Sequence, residues 1–261
     1  MLTVMVLALI FGFCLLIAAA TSLLLHVGEL HEGRLVERTP LTPLGALHGG
    51  RRRIAAVGET AYGPAGPLTA PVSGEECAWF AIRLVRTPTR RQTEDTPGED
   101  LLLDLAAPLP PALVDPSGHV LIDPRLLTGP PNLHDPVATE LTLRVLGPSS
   151  VDTAPPIVPR RLIETARSHE RLELWETRLA AGRQVYALGS AGHGHRQGSI
   201  VLLPTRHGGF TVLTTDDRTA VRERRRLQAA NSRSLARSLG MAGAVVTLLS
   251  GALVLWFAQS P

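Results

Sequence analysis

The sequence contains no lysine: all 26 of its basic residues are arginine. Against 23 acidic residues the net charge is +3, too small an excess over 261 residues to predict a nucleic-acid partner. Two cysteines exclude a disulfide scaffold and any multi-cysteine zinc module. Aromatic residues are scarce at 4 %. No Walker loop, no Gly-x-Ser-x-Gly and no His-Glu-x-x-His is present. His193 and His195 form the best-spaced imidazole pair, but no cysteine or acidic set stands beside them to complete a metal shell. Gly192, Gly194 and Gly198 around the pair predict a surface hairpin instead. No metal, cofactor or catalytic residue is therefore expected.

Charge is also missing from both ends. Met1 to Leu25 carries none, and as a helix it reaches roughly 37 Å, enough for a hydrocarbon core of about 30 Å. A cleaved signal peptide wants a basic leader and an apolar core of about 7–15 residues; this run has neither. Leu239 to Ala258 is the second apolar run, ending in the interface-suited Trp256 and Phe257. Arg34 and Arg38 follow the first run closely, and Arg222, Arg224, Arg225, Arg226, Arg233 and Arg237 precede the second. The positive-inside rule then predicts a two-pass protein of the cell membrane, with residues 26–238 in the cytoplasm.

Between the runs, 21 prolines and 24 glycines in the whole chain punctuate about eight or nine short apolar segments. They predict a β-rich domain, barrel-like or sandwich-like, with one or two short helices. Cys77 to Val85 reads as a strand whose buried set is Ala78, Phe80, Ile82 and Leu84, the longer apolar series. Asp115-Pro116-Ser117-Gly118 reads as a hairpin turn in which Gly118 supplies a positive φ. Pro148 to Pro159 reads as a linker. Thr214 to Asp217 reads as the start of a helix that has no glycine or proline before Gly240 and so continues into the second apolar run as one rod of about 60 Å. The expected organisation is a transmembrane helix at 1–25, a juxtamembrane linker at 26–53, the β-rich domain at 54–213, an arginine-rich juxtamembrane helix at 214–238 and a transmembrane helix at 239–258.

On that last helix Arg222, Arg225, Arg226, Arg233 and Arg237 fall within an arc of about 120°. A basic stripe beside a bilayer fixes topology and can also attract anionic lipid head groups. The expected partners are thus the lipid bilayer, anionic lipids and an unidentified protein, and no nucleic acid.

Three ordered motifs add a resemblance. The first is Pro67-Leu68-Thr69-Ala70-Pro71-Val72-Ser73-Gly74-Glu75-Glu76-Cys77-Ala78-Trp79-Phe80, after Gly58. The second is Asp115-x-x-Gly118-x-Val120-x-Ile122-Asp123-Pro124. The third is Glu176-x-x-Leu179-x-x-Gly182-x-x-Val185-Tyr186-x-Leu188-Gly189. Together with the order helix, β domain, helix, they resemble the GIDE-type family, the membrane-flanked "beside a membrane" domain of the MULAN E3 ubiquitin ligase and its bacterial relatives. In that ligase a RING finger follows the second membrane helix and does the chemistry, whereas only Gln259-Ser260-Pro261 follow here. The resemblance therefore implies a membrane-anchored binding or scaffold module without intrinsic catalysis; the alternative is a ubiquitin-ligase-related enzyme, with Cys77 as its candidate nucleophile, or a component of a ubiquitin ligase. Its motif positions, Pro71, Gly74, Cys77, Trp79, Asp115, Gly118, Asp123, Glu176, Gly182 and Gly189, are expected to be turn and strand residues that the fold needs.

Overall fold

A computed structural model describes residues 2–50, 53–88, 100–128, 138–166, 170–194, 199–205 and 209–259. The chain divides into two compact units, Met1–Arg38 with Arg218–Pro261, and Thr39–Asp217.

The first unit is a pair of long helices, α1 (Leu2–Arg38) and α4 (Arg218–Gln259). Each is long and apolar enough to cross a membrane, and only 11 % of the most apolar window of each is buried within the chain. The core helix of a soluble protein would be mostly buried, so these helices present their apolar surface outward. The stretch 26–53, expected to begin with a helical turn or two and then loosen, is helical for longer: α1 continues past His26 to Arg38 without a break. The helices run antiparallel, with Gly12 beside Thr247 and Ala19 beside Gly240.

Their seam is periodic. Gly12, Ala19, His26 and Gly33 recur every seventh residue along the packed side of α1, and Ala229, Ala236, Gly243 and Ser250 do so on α4. A repeat of seven keeps one side of each helix against its partner over many turns. Small side chains let the backbones approach: a Cβ on Gly243 would lie 3.0 Å from the Gly12 carbonyl oxygen and 3.1 Å from the Leu15 Cβ.

The second unit holds two sheets. In the first, β1 (Arg53–Ala61), β6 (Ala112–Asp115), β7 (Gly118–Ile122), β11 (Ile200–Leu203) and β10 (Gln184–His193) close into a ring. Every neighbour in the ring is antiparallel except β7 and β11, which are parallel, and β10 returns to pair with β1. In connectivity this is the five-stranded Greek-key barrel of OB type. β12 (Val212–Thr214) pairs beside β11 along β10. Two strands must turn a corner to close the ring. β1 leaves β10 for β6 at Gly58–Glu59, and β10 passes from β12 to β11 at Gly189–Ser190. A Cβ on Gly58 would sit 2.8 Å from the Val114 carbonyl oxygen, and one on Gly189 2.7 Å from that of Leu203, so only glycine permits these turns.

The second sheet has the order β5 (Asp100–Ala106), β4 (Trp79–Pro88), β9 (Glu170–Leu179), β8 (Glu140–Leu146), all antiparallel. A small hairpin of β2 (Leu68–Thr69) and β3 (Glu76–Cys77) precedes it. Two short helices, α2 (Arg125–Thr128) and α3 (Arg160–Glu164), complete the unit.

β4 belongs to two cores at once. Trp79 and Ala81 sit in the barrel core with Leu113, Ile122 and Leu202. Ile82 and Leu84 sit in a second core with Leu172, Leu174 and Ile163. The expectation that only one parity of this strand is buried is corrected: Ala78, Ile82 and Leu84 are buried as expected and Phe80 partly so, but Cys77, Trp79 and Ala81 are buried too. Alternation presumes one wet face, and the start of β4 has none. The expected linker 148–159 is likewise corrected. Val151, Ala154, Ile157 and the buried Val158 pack onto the second core, so the segment is a cover rather than a tether. Full burial of a valine side chain contributes about 1.5–3 kcal/mol, and Val158 supplies one such contact to the cover.

Candidate functional site

The residues of the first and third motifs meet around one carboxylate. Glu176, on β9, is fully buried. It accepts hydrogen bonds from the backbone N–H of Val72 at 2.6 Å and of Ser73 at 3.2 Å. The turn it holds runs through Pro71 and ends at Gly74, whose φ of +76° suits glycine. Arg178, two residues on along β9, donates to the Ser73 hydroxyl at 3.2 Å and pairs with Glu75 and Glu140 at 2.5 Å each. Trp79 and Cys77 lie fully buried beside this turn. Burial pushes the Cys77 thiol above its ordinary range, and the nearby negative Glu176 pushes it further in the same direction. A nucleophilic cysteine needs the opposite: exposure and a cationic neighbour that outweighs these effects.

The second motif closes another junction. Burial raises the Asp115 carboxyl, but donors outweigh it and hold the group below its usual value. They are the N–H groups of Leu44, Ser117 and Gly118, at 2.8, 2.7 and 3.0 Å, and the Ser117 hydroxyl. Asp115 thus ties the β6–β7 turn to the 3-10 turn Leu44–Ala46. The positive φ expected at Gly118 is corrected: among the described glycines only Gly66, Gly74 and Gly182 have one. Gly118 is required for space, since a Cβ there would lie 2.9 Å from the Gly45 Cα. Asp123 is also lowered; burial alone would raise it, but the Arg125 side chain and backbone N–H reverse the sign. Gly182, with φ +78°, leads β9 into β10, and its N–H donates to the Thr60 carbonyl at 2.7 Å. The ten motif positions therefore lie at turns, corners and core contacts.

The outer face of the second sheet is different. Leu141, Leu143 and Val145 on β8 are 61, 43 and 52 % exposed, and Leu101 on β5 is 54 % exposed. Register places Leu143 beside Trp175 and Trp175 beside Arg83, with Val145 beside Glu173 and Leu101 beside Val85. An apolar patch lined at its centre by a half-buried tryptophan and interrupted by charges results. Strand alternation predicts the Leu141–Leu146 pattern, but which face stays wet depends on the cover at 148–159, whose role the sequence does not announce.

The arginine stripe divides. Arg225 is 5 % exposed and faces Glu29 and Glu32 of α1 at 3.1 and 3.2 Å, so it leaves the surface stripe. Arg222 is exposed and pairs with Glu37 at 3.5 Å. Arg218 donates to the Val36 and Glu37 carbonyls at 2.8 and 2.7 Å. Arg226, Arg233 and Arg237 are exposed. Arg233 and Arg237 line a groove of about 660 Å³ between the helices, with Ala19, Ala20, Leu23, His26 and Ala236.

His193 ends β10 with its ring against Gly49, and His195 lies outside the described residues. Among the described residues no three His, Cys, Asp or Glu side chains gather as metal ligands. The molecule is thus of the class in which a β-barrel domain is inserted between two long apolar helices. No family model matches the chain, and no curated protein or solved structure matches it.

Proposed function

We propose that this protein is a two-pass membrane protein whose β domain binds or scaffolds another protein at the cytoplasmic face. The observation that carries the reading is an inversion of the usual site. The polar motif residues Glu176, Asp115 and Cys77 are inside or spent on backbone N–H groups, while Leu141, Leu143, Val145 and Leu101 are outside. Groups already engaged in holding turns have no capacity left for substrate; an apolar, charge-rimmed sheet face suits a protein partner. The long apolar helices, packed along a small-residue seam, support the membrane reading, and the arginines at their inner ends support the cytoplasmic orientation. The GIDE-type resemblance supports protein recognition beside a membrane. In the alternative reading, a ubiquitin-ligase component, a partner supplies the catalytic zinc module.

Two measurements test this. A photo-crosslinking amino acid at Leu143 is expected to give a specific adduct in the native host, and one at the exposed Asp152 none. Asp152→Cys is expected to react with a membrane-impermeant maleimide only after cell lysis. Labelling of intact cells overturns the orientation, and equal adducts at both positions overturn the binding face.

A further inference from the structure

The arginines of α4 are served unequally. α1 offers Arg218 two carbonyls, Arg222 the Glu37 carboxylate and Arg225 the Glu29 and Glu32 carboxylates. Below Glu29 the supply stops, because α1 from Leu2 to Leu25 carries no charge. Arg233 and Arg237 stand opposite that stretch. They lie between Ala229, whose carbonyl meets His26, and Gly240, which meets Ala19. Neither makes a hydrogen bond or ion pair among the described residues. One helical turn apart, they share a face of α4 and open onto the same groove.

Resting on the membrane reading above, we infer that this groove binds the phosphate of an anionic membrane lipid. Arg233 and Arg237 supply two guanidinium forks, the geometry that grips phosphate oxygens. His26 adds a third polar group in a fixed orientation. Its Nδ1–H donates to the Ala229 carbonyl oxygen at 2.7 Å, which holds the ring in the wall of the groove. Ala19, Ala20, Leu23 and Ala236 give the groove an apolar floor, on which the first carbons of an acyl chain lie while the head group meets the arginines. The same two residue types explain why the occupant is a lipid rather than a free ion: the charge is met by phosphate and the floor by hydrocarbon. Arginines without a partner among the described residues, at a depth where the facing helix carries no acidic residue, need a counter-charge from outside the chain, and lipid phosphate is the anion present at that level.

The test uses the full chain in detergent, titrated with phosphatidylglycerol or phosphatidylcholine and read by native mass spectrometry. Phosphatidylglycerol is expected to be retained preferentially, and the preference to fall about fivefold for each of Arg233→Gln and Arg237→Gln. Arg226→Gln, on the same helix but outside the groove, is expected to leave the preference unchanged. Circular dichroism of each variant checks that the helices persist. Equal retention of both lipids, or an equal loss in Arg226→Gln, overturns the site in favour of diffuse attraction. Displacement of phosphatidylglycerol by inorganic phosphate at equal concentration overturns the lipid as occupant. The membrane reading fails by a separate sign: release of the chain from native membranes by alkaline carbonate.

Discussion

The carboxylate of Glu176 and the backbone N–H of Val72, separated by 104 residues in sequence, lie 2.6 Å apart in the interior. A buried carboxylate with this acceptor role cannot be replaced cheaply. Glu176→Ala leaves the Val72 and Ser73 N–H groups without their acceptor and is expected to cost about 2–4 kcal/mol. Glu176→Gln keeps one acceptor oxygen and is expected to cost less. Thermal unfolding of the full chain in detergent, followed by near-ultraviolet circular dichroism, checks the order; equal melting of both variants and the parent would show the contact to be idle.

Asp115 makes a pH prediction with a definite sign. Its carboxyl is lowered in the fold, so its contribution is complete above its unfolded value near 3.8 and is lost as pH falls through the lower folded value. Asp115→Asn is expected to cost about 1–3 kcal/mol at neutral pH. The gap in melting temperature between parent and variant is expected to close below that window. Glu140, lowered chiefly by its hydrogen bond from Arg178, titrates in both proteins and cancels in the difference. A gap independent of pH would remove the carboxylate from the account.

Cys77 is expected to be inert. Buried completely and with its thiol pushed up, it has little thiolate at neutral pH. Iodoacetamide should modify it slowly in the folded protein and quickly in urea. With two cysteines in 261 residues, the chain also cannot supply the several thiolates that close the two zinc shells of a RING. Incubated with ubiquitin-activating and ubiquitin-conjugating enzymes and a lysine-bearing acceptor, it is expected to give no conjugation. Conjugation abolished by Cys77→Ser would establish the enzyme reading instead.

The helix pair predicts a crosslink. A Cβ built on Gly240 lies 3.7 Å from the Ala19 Cβ, within the usual disulfide range. Ala19→Cys with Gly240→Cys, in a background lacking Cys14 and Cys77, is expected to oxidise to a disulfide. Proteolysis between the helices would then leave both fragments joined until reduction. Fragments that separate without reductant would show that α1 is lost or that the helices do not pack this way.

Much of the second unit can be read from residue patterns, because short strands alternate and turns carry glycine and proline. The β6–β7 hairpin is an example. A pattern misleads where it serves two surfaces. β4 buries both parities because it leaves one core for another. Gly118 answers to Gly45, which no local turn rule connects to it. The seven-residue recurrence of small side chains on α1 and α4 is visible only when the partner is known, since alanine and glycine are common throughout. The arginine stripe was legible as a charge pattern, but its division was not. Which arginines are neutralised depends on where α1 carries Glu29, Glu32 and Glu37 relative to an antiparallel neighbour.

Because α1 and α4 are the first and last helices of the described chain, their pairing has a consequence in time. The ribosome releases α1 well before its partner exists. At about 5–20 residues per second, the stretch from Thr39 to Asp217 occupies roughly ten to forty seconds. Through that interval the Gly12–Ala19 side of α1 has no companion from its own chain, and Glu29 and Glu32 await Arg225. The β domain, whose last strand is complete at Thr214, emerges before the seam can zip. Biogenesis is thus ordered by connectivity: a nascent apolar helix first, a folded barrel second, and the helix pair last.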